Sequence, residues 1–163
     1  MTVTATLVVG KDGSTSKNGR SAGVASSADR AAFLARRRLA DCIIIGGNTA
    51  RNEPYQRTPV PLVVISHSMI NPLVNNRRAH WWNTSAEEAI SRASHLFGSN
   101  ILVEAGPALI STLVANGLID RLELSVTEIE GGENPLNFNE LLKHFTKIHE
   151  NNIEGTRFIT AQK

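Results

Sequence analysis

Short aliphatic runs alternate with helically spaced apolar stripes along this chain. Val3–Val9 is the first run and predicts a strand. Lys11-Asp12-Gly13 turns the chain, and the polar, Gly-containing stretch Ser14–Gly23 predicts a loop. Ser26 followed by Asp29 has the spacing of a capping box, and Ala28, Ala31, Ala32, Ala35 and Leu39 then recur at helical spacing as a candidate core face. A second strand begins at Asp41 and runs through Ile45. After Pro54, Pro59 and Pro61, Leu62–Ile65 predicts a short buried strand, and Asn71-Pro72 opens an irregular segment through Arg78.

The pattern then repeats. Ser85 and Glu88 cap a helix with Ala86, Ala89, Ile90, Ala93 and Phe97 on one face, and Ile101–Val103 is the next strand. Pro107 suits the first position of a third helix, where a missing N–H costs no intrahelical bond, and Gly117 suits its end. Leu122, Leu124 and Val126 alternate with Glu123, Ser125 and Thr127, which predicts a strand with one wet face. Gly131-Gly132 ends it. A strand-like stretch near Phe145–Ile148, a turn at Asn151-Asn152 and a last strand around Arg157–Ala161 complete the chain. Trp81 and Trp82 would, if on a strand, point to opposite faces, one to the core and the other to a partner subunit or ligand.

Strands alternating with helices predict an α/β fold in three layers, with a mostly parallel central sheet and an antiparallel C-terminal edge. Such sheets bind ligands beyond the carboxyl ends of their strands. Two strand-to-helix turns stand there, Ile45-Gly46-Gly47-Asn48-Thr49 and Val103-Glu104-Ala105-Gly106-Pro107-Ala108-Leu109. Outward N–H groups at such turns attract anions, so the pair suggests a dinucleotide.

The length of 163 residues allows one domain, 1–163. Seventeen basic against fifteen acidic side chains is too even a balance to point to nucleic acid. No run approaches a membrane span, and the N-terminal residues lack a secretory pattern, so the expected compartment is cytoplasmic. The single Cys42 lies in a predicted buried strand, outside any metal-ligand spacing.

Ala5-Thr6-Leu7-Val8-Val9-Gly10-Lys11-Asp12-Gly13, Gly19-Arg20-Ser21 with Ser26–Arg30, Arg37–Gly46, Thr49–Tyr55, Val103–Pro107 and Gly117–Leu122 follow one another in a specific order. This series resembles the reductase domain of riboflavin biosynthesis proteins, the pyrimidine reductases of dihydrofolate-reductase-like fold. The resemblance implies an oxidoreductase that uses NADPH to reduce the ribosyl group of a phosphoribosylamino-pyrimidine to a ribityl chain. It also implies a homodimer. Some relatives carry a zinc deaminase, which needs H-x-E and P-C-x-x-C elements. Neither occurs here, so deamination is expected from a separate chain.

By that resemblance and by position, Gly46, Asn48, Thr49, Ser66, Gly106, Pro107, Ala108 and Leu109 are the expected cofactor-binding residues. Asp12, Ser21, Arg37 and Arg57 are the expected substrate residues, the two arginines for phosphate. For Asp12 the alternative is a simple turn with Gly13. Glu53 and Glu104 are the expected catalytic carboxylates. Other readings are a dihydrofolate- or pterin-type reductase and a non-catalytic nucleotide-binding paralogue. The second draws on Gly10, Gly23 and Ala105, which depart from the family pattern.

Overall fold

The β-branched runs become the middle of one eight-stranded sheet in the computed structural model, which describes residues 1–163. In chain order the strands are β1 Thr2–Val9, β2 Cys42–Gly46, β3 Leu62–Ile65, β4 Ala79–Trp82, β5 Asn100–Val103, β6 Arg121–Val126, β7 Lys147–Ile153 and β8 Thr156–Gln162. Their spatial order is β4-β3-β2-β5-β1-β6-β8-β7. The first six pair in parallel, and β8 and β7 add antiparallel at one edge. The predicted mixed sheet with an antiparallel C-terminal edge is therefore present.

The helices are α1 Ser27–Leu39, α2 Gly47–Asn52, α3 Ala86–Phe97, α4 Pro107–Ala115 and α5 Phe138–Leu142. Ser26 and Ser85 cap α1 and α3 by accepting from the N–H of Asp29 and Glu88, and Pro107 stands in the first turn of α4. Helix α5 went unrecognised in the sequence. Five residues give too short a stripe for periodicity to reveal.

Strand alternation divides the core between the two faces of the sheet. One face sends Val3, Ala5, Ile44, Val63, Ile101, Leu122 and Ile159 against the apolar sides of α3 and α4. The other sends Ile43, Ile45, Leu62, Val64 and Leu102 against Tyr55, Ala50 and Leu73. Trp82 belongs to the first cluster and Trp81 packs on the second, as adjacent strand residues must.

Helix α1 departs from its predicted orientation. Its alanine stripe does not enter the core, and Leu39 is 77 % exposed. Asp29 and Arg37 are its buried residues instead. The reason lies in the sheet beneath. The face of β6 that carries Glu123 and Ser125 is covered by α1 rather than by water, and Ser125 is fully buried. A polar sheet face selects the polar side of the helix, because buried polar groups need one another. Arg36 lies in this layer, near Glu123 and Asp29.

Two departures from the family pattern have a packing cause. A Cβ at Gly10 would stand 2.4 Å from the carbonyl oxygen of Ile129, and one at Gly23 would stand 2.4 Å from that of Lys17. Backbone passes too close at both places for any side chain.

Candidate active site

The carboxyl ends of β1, β2 and β5 open into one cleft of about 940 Å³. Both glycine turns reach it. Gly46, Asn48 and Thr49 line one part, and Gly106, Pro107, Ala108 and Leu109 line another. A Cβ at Gly106 would meet nothing within 4 Å, and one at Gly46 would meet only Leu109, at 3.7 Å. The backbone is thus bare toward the cleft at both turns, the surface a closely approaching ligand requires. Loop residues Thr15, Ser16, Gly19 and Ser21 form the opposite wall with Asn134–Leu136.

The floor is a buried ionic cluster. Glu104 directly follows β5 and continues its pairing, donating its N–H to the carbonyl of Ile44. The Arg37 guanidinium grips the Glu104 carboxylate, with Nε 2.9 Å from Oε1 and Nη2 2.6 Å from Oε2. The Tyr55 hydroxyl donates to Oε2 as well, at 2.7 Å. The Arg37 guanidinium lies 4.3 Å from the Phe33 ring centre and 4.8 Å from that of Tyr55. Side-chain exposures of 10 % for Arg37 and 2 % for Glu104 mean that the pair has little water to fall back on. Burial opposes the charge on Arg37, but the bonds to Glu104 outweigh it and hold its pKa above the ordinary value. Burial, then the Glu104 charge, push the Tyr55 hydroxyl well above its ordinary value, so it stays a donor.

Glu53 closes α2 and spans the cleft edge. Its Oε1 accepts the Ser21 N–H at 2.8 Å, which ties the loop wall to the end of α2. Eleven of the fourteen expected site residues therefore line one cavity: Gly46, Asn48, Thr49, Gly106–Leu109, Ser21, Arg37, Glu53 and Glu104.

Three do not. Ser66 lies behind α2, where its hydroxyl accepts from the Ser68 N–H and abuts Gly47, so it faces the helix and not the cavity. Arg57 is exposed on the segment after Tyr55, outside the cleft lining. Asp12 is taken up by the turn: it accepts from the Ser14 hydroxyl and N–H and from the Gly131 N–H, which hold its carboxyl down at about 2. The expectation for Arg37 also changes. It lines the cavity, but Nε and Nη2 are committed to Glu104.

The sequence reading passed over Asp29, Phe33 and Tyr55. Asp29, Phe33 and Arg37 all line the cavity from one stripe of α1, at the i, i+4, i+8 spacing that would have shown them. The alanine stripe beside it drew attention to the wrong face.

The family model for the RibD C-terminal domain matches residues 1–140. The chain belongs to the RibD C-terminal domain family. No curated protein sequence matches it. Among solved structures, RibD from Acinetobacter baumannii superposes with a TM-score of 0.76 at 15 % identity, covering 99 % of this chain and 57 % of that one. A diaminohydroxyphosphoribosylaminopyrimidine deaminase/5-amino-6-(5-phosphoribosylamino)uracil reductase from Thermotoga maritima gives 0.73 at 13 % identity, covering 99 % and 56 %. A pyrimidine reductase-like protein from Corynebacterium diphtheriae gives 0.69 at 19 % identity, covering 99 % and 91 %. The chain thus has the dihydrofolate-reductase-like fold of RibD reductase structures and spans just over half of the two RibD-type chains. No helix in it is long and apolar enough to cross a membrane.

Proposed function

We propose that this RibD C-terminal domain is a reductase that uses NADPH to convert the ribosyl group of a phosphoribosylamino-pyrimidine into a ribityl group. The observation that carries the reading is the convergence of both glycine turns and the Glu104 cluster on one cleft. The bare backbone at Gly46 and Gly106 fits a dinucleotide. The N–H groups of Ala108 and Leu109 would face its phosphates, with Asn48 and Thr49 at the other turn. NADPH, when bound, supplies the hydride.

The chain's own residues then position the substrate. Glu104, held by Arg37 and Tyr55, presents a fixed acceptor to a sugar hydroxyl. Glu53 has one oxygen bound to the Ser21 N–H and the other available to take the sugar proton as the ring opens toward an imine. Alignment of the sugar carbon is the main task, since hydride transfer needs near contact. We also propose that residues 1–163 form one reductase domain and that the protein is a cytoplasmic homodimer.

A second reading, a pterin-type reductase, is favoured by one observation. Arg37 is the sole basic residue among the cleft-lining side chains, and it is already paired. A phosphate would have to draw on Arg37 Nη1 or on side chains beyond the wall. Following NADPH oxidation with the deaminated pyrimidine, the undeaminated pyrimidine and dihydrofolate separates the two. Turnover of a pyrimidine supports the first reading. Turnover of dihydrofolate alone supports the second. NADPH binding without oxidation of any substrate overturns both.

A further inference from the structure

Two segments wall the cleft opposite the glycine turns. The first runs from Asp12 to Ser21 and contains the hairpin turn Lys17-Asn18-Gly19-Arg20. Lys17 and Arg20 exchange both backbone hydrogen bonds, at 3.0 and 3.3 Å, and Asn18 and Gly19 take φ of 54° and 76°. Asn-Gly suits a two-residue hairpin turn, because both central residues need a positive φ. The second segment, Ile129–Leu136, comes after β6 and meets the first antiparallel at Ser16 and Glu133. There Glu133 donates its N–H to the Ser16 carbonyl at 2.7 Å, and its own carbonyl accepts the Thr15 N–H at 3.0 Å. Each segment also sends one carboxylate to the backbone of the other. Asp12 Oδ2 accepts the Gly131 N–H at 2.8 Å. Glu133 Oε2 accepts the Gly19 N–H at 3.0 Å and the Ser16 hydroxyl at 3.2 Å.

We propose that Glu133 is a positioning residue for Glu53, acting through the Gly19–Ser21 backbone. The inference rests on the proposed role of Glu53 as the proton acceptor. Gly19 stands two residues before Ser21, whose N–H donates to Glu53 Oε1 at 2.8 Å. Ser21 opens the single 3-10 turn Ser21–Gly23, so its N–H has no partner within that turn and is free for the carboxylate. The contact lasts only while the hairpin turn keeps Ser21 at the cleft edge. Glu133 supplies the one hydrogen bond that the tip of this turn receives from outside it, and a Cβ at Gly19 would meet nothing within 4 Å. A carboxylate accepting a backbone N–H makes a charge-assisted bond, stronger than a neutral one. Glu133 itself is exposed and lies outside the cleft lining, so it reaches the reaction only through the chain it holds. With Ser21 anchored, one Glu53 oxygen is fixed and the other is aimed at the sugar. With Ser21 loose, both oxygens turn toward water.

E133A and E133Q in the full chain test this. Alanine removes the acceptor, whereas glutamine keeps an acceptor oxygen without the charge. E133A should lower kcat on the pyrimidine about tenfold, short of what a full 1 Å misplacement brings, and leave the NADPH Kd unchanged. Amide hydrogen exchange at Ser21, read by NMR, should quicken in E133A toward its rate in E53A, where the acceptor itself is gone. E133Q should recover most of both. A residue that acts through Glu53 has nothing to act on once Glu53 is removed, so E133A/E53A should turn over no more slowly than E53A. Full activity in E133A, Ser21 exchange that does not move, or a further tenfold loss in the double variant overturns the assignment. Hydrogen exchange needs no turnover. Faster Ser21 exchange in E133A, in a protein that oxidises NADPH on no pyrimidine, would remove the proposed reaction and leave Glu133 as the anchor of the turn. Pyrimidine-dependent NADPH oxidation with Ser21 exchange unmoved would do the reverse.

Discussion

Replacing Arg37 with Met tests whether the floor of the cleft is a locked ion pair or a free phosphate clamp. Arg37 donates Nε and Nη2 to Glu104, and the substitution removes both bonds while keeping an apolar stem between Phe33 and Tyr55. Glu104, with a 2 % exposed side chain, would keep only the Tyr55 hydroxyl. Removing one partner of a buried pair costs about 3–5 kcal/mol, because the other charge stays behind unpaired. For a chain of this size each kcal/mol lowers Tm by about 2–4 °C, so a fall of about 6–20 °C is expected. Urea unfolding should give the same loss. R37M combined with E104L removes both charges and should recover most of it, since apolar replacement of a buried pair is often neutral. A loss under about 1 kcal/mol in R37M, together with a raised KM for the phosphorylated substrate, would refute this reasoning and make Arg37 a surface-type phosphate ligand.

Further predictions follow from neighbouring contacts. E53A should lower kcat by on the order of 100-fold while leaving NADPH affinity unchanged, as a lost proton acceptor does; unchanged turnover removes Glu53 from the reaction. G47A should cost about 1–3 kcal/mol in urea unfolding, because the new Cβ would lie 2.7 Å from the Ser66 hydroxyl; adding S66A should restore part of the loss, and a neutral G47A contradicts the packing. D29N should stabilise the unliganded protein at neutral pH. The Asp29 carboxyl titrates higher in the folded chain than its ordinary 3.8, chiefly through burial, so folding pays for its ionisation above that range. The Tm difference from wild type should be full above the folded-state pKa and shrink as pH falls toward 3.8. A difference that grows on acidification reverses the sign and contradicts the burial argument.

The central strands were legible because they are buried on both faces, and their aliphatic runs, such as Ile43–Ile45 and Leu62–Ile65, appear at those positions in β2 and β3. Helix starts were legible where a side chain makes the cap, as Ser26 and Ser85 do. Helix α1 was misread because its alanines carry the apolar period, while the sheet face below it is polar. That pairing is a tertiary fact, and the same fact hid Asp29 and Phe33 from the list of site residues. Glu104 lines the cleft, but its partners Arg37 and Tyr55 come from 67 and 49 residues away. Spacing along the chain carries no trace of such contacts. Arg57 and Ser66 were placed by order along the chain, and the turns around them send both outside the cavity.

The central claim is that a dinucleotide lies across the carboxyl ends of β1, β2 and β5, with its phosphates at the two glycine turns. A crystal structure of the NADPH complex tests it most directly. Phosphate oxygens are expected within hydrogen-bonding distance of the backbone N–H groups of Ala108 and Leu109, with the nicotinamide directed toward Glu104. A dinucleotide bound elsewhere, or bound with Gly106 and Gly46 facing empty solvent, would contradict it.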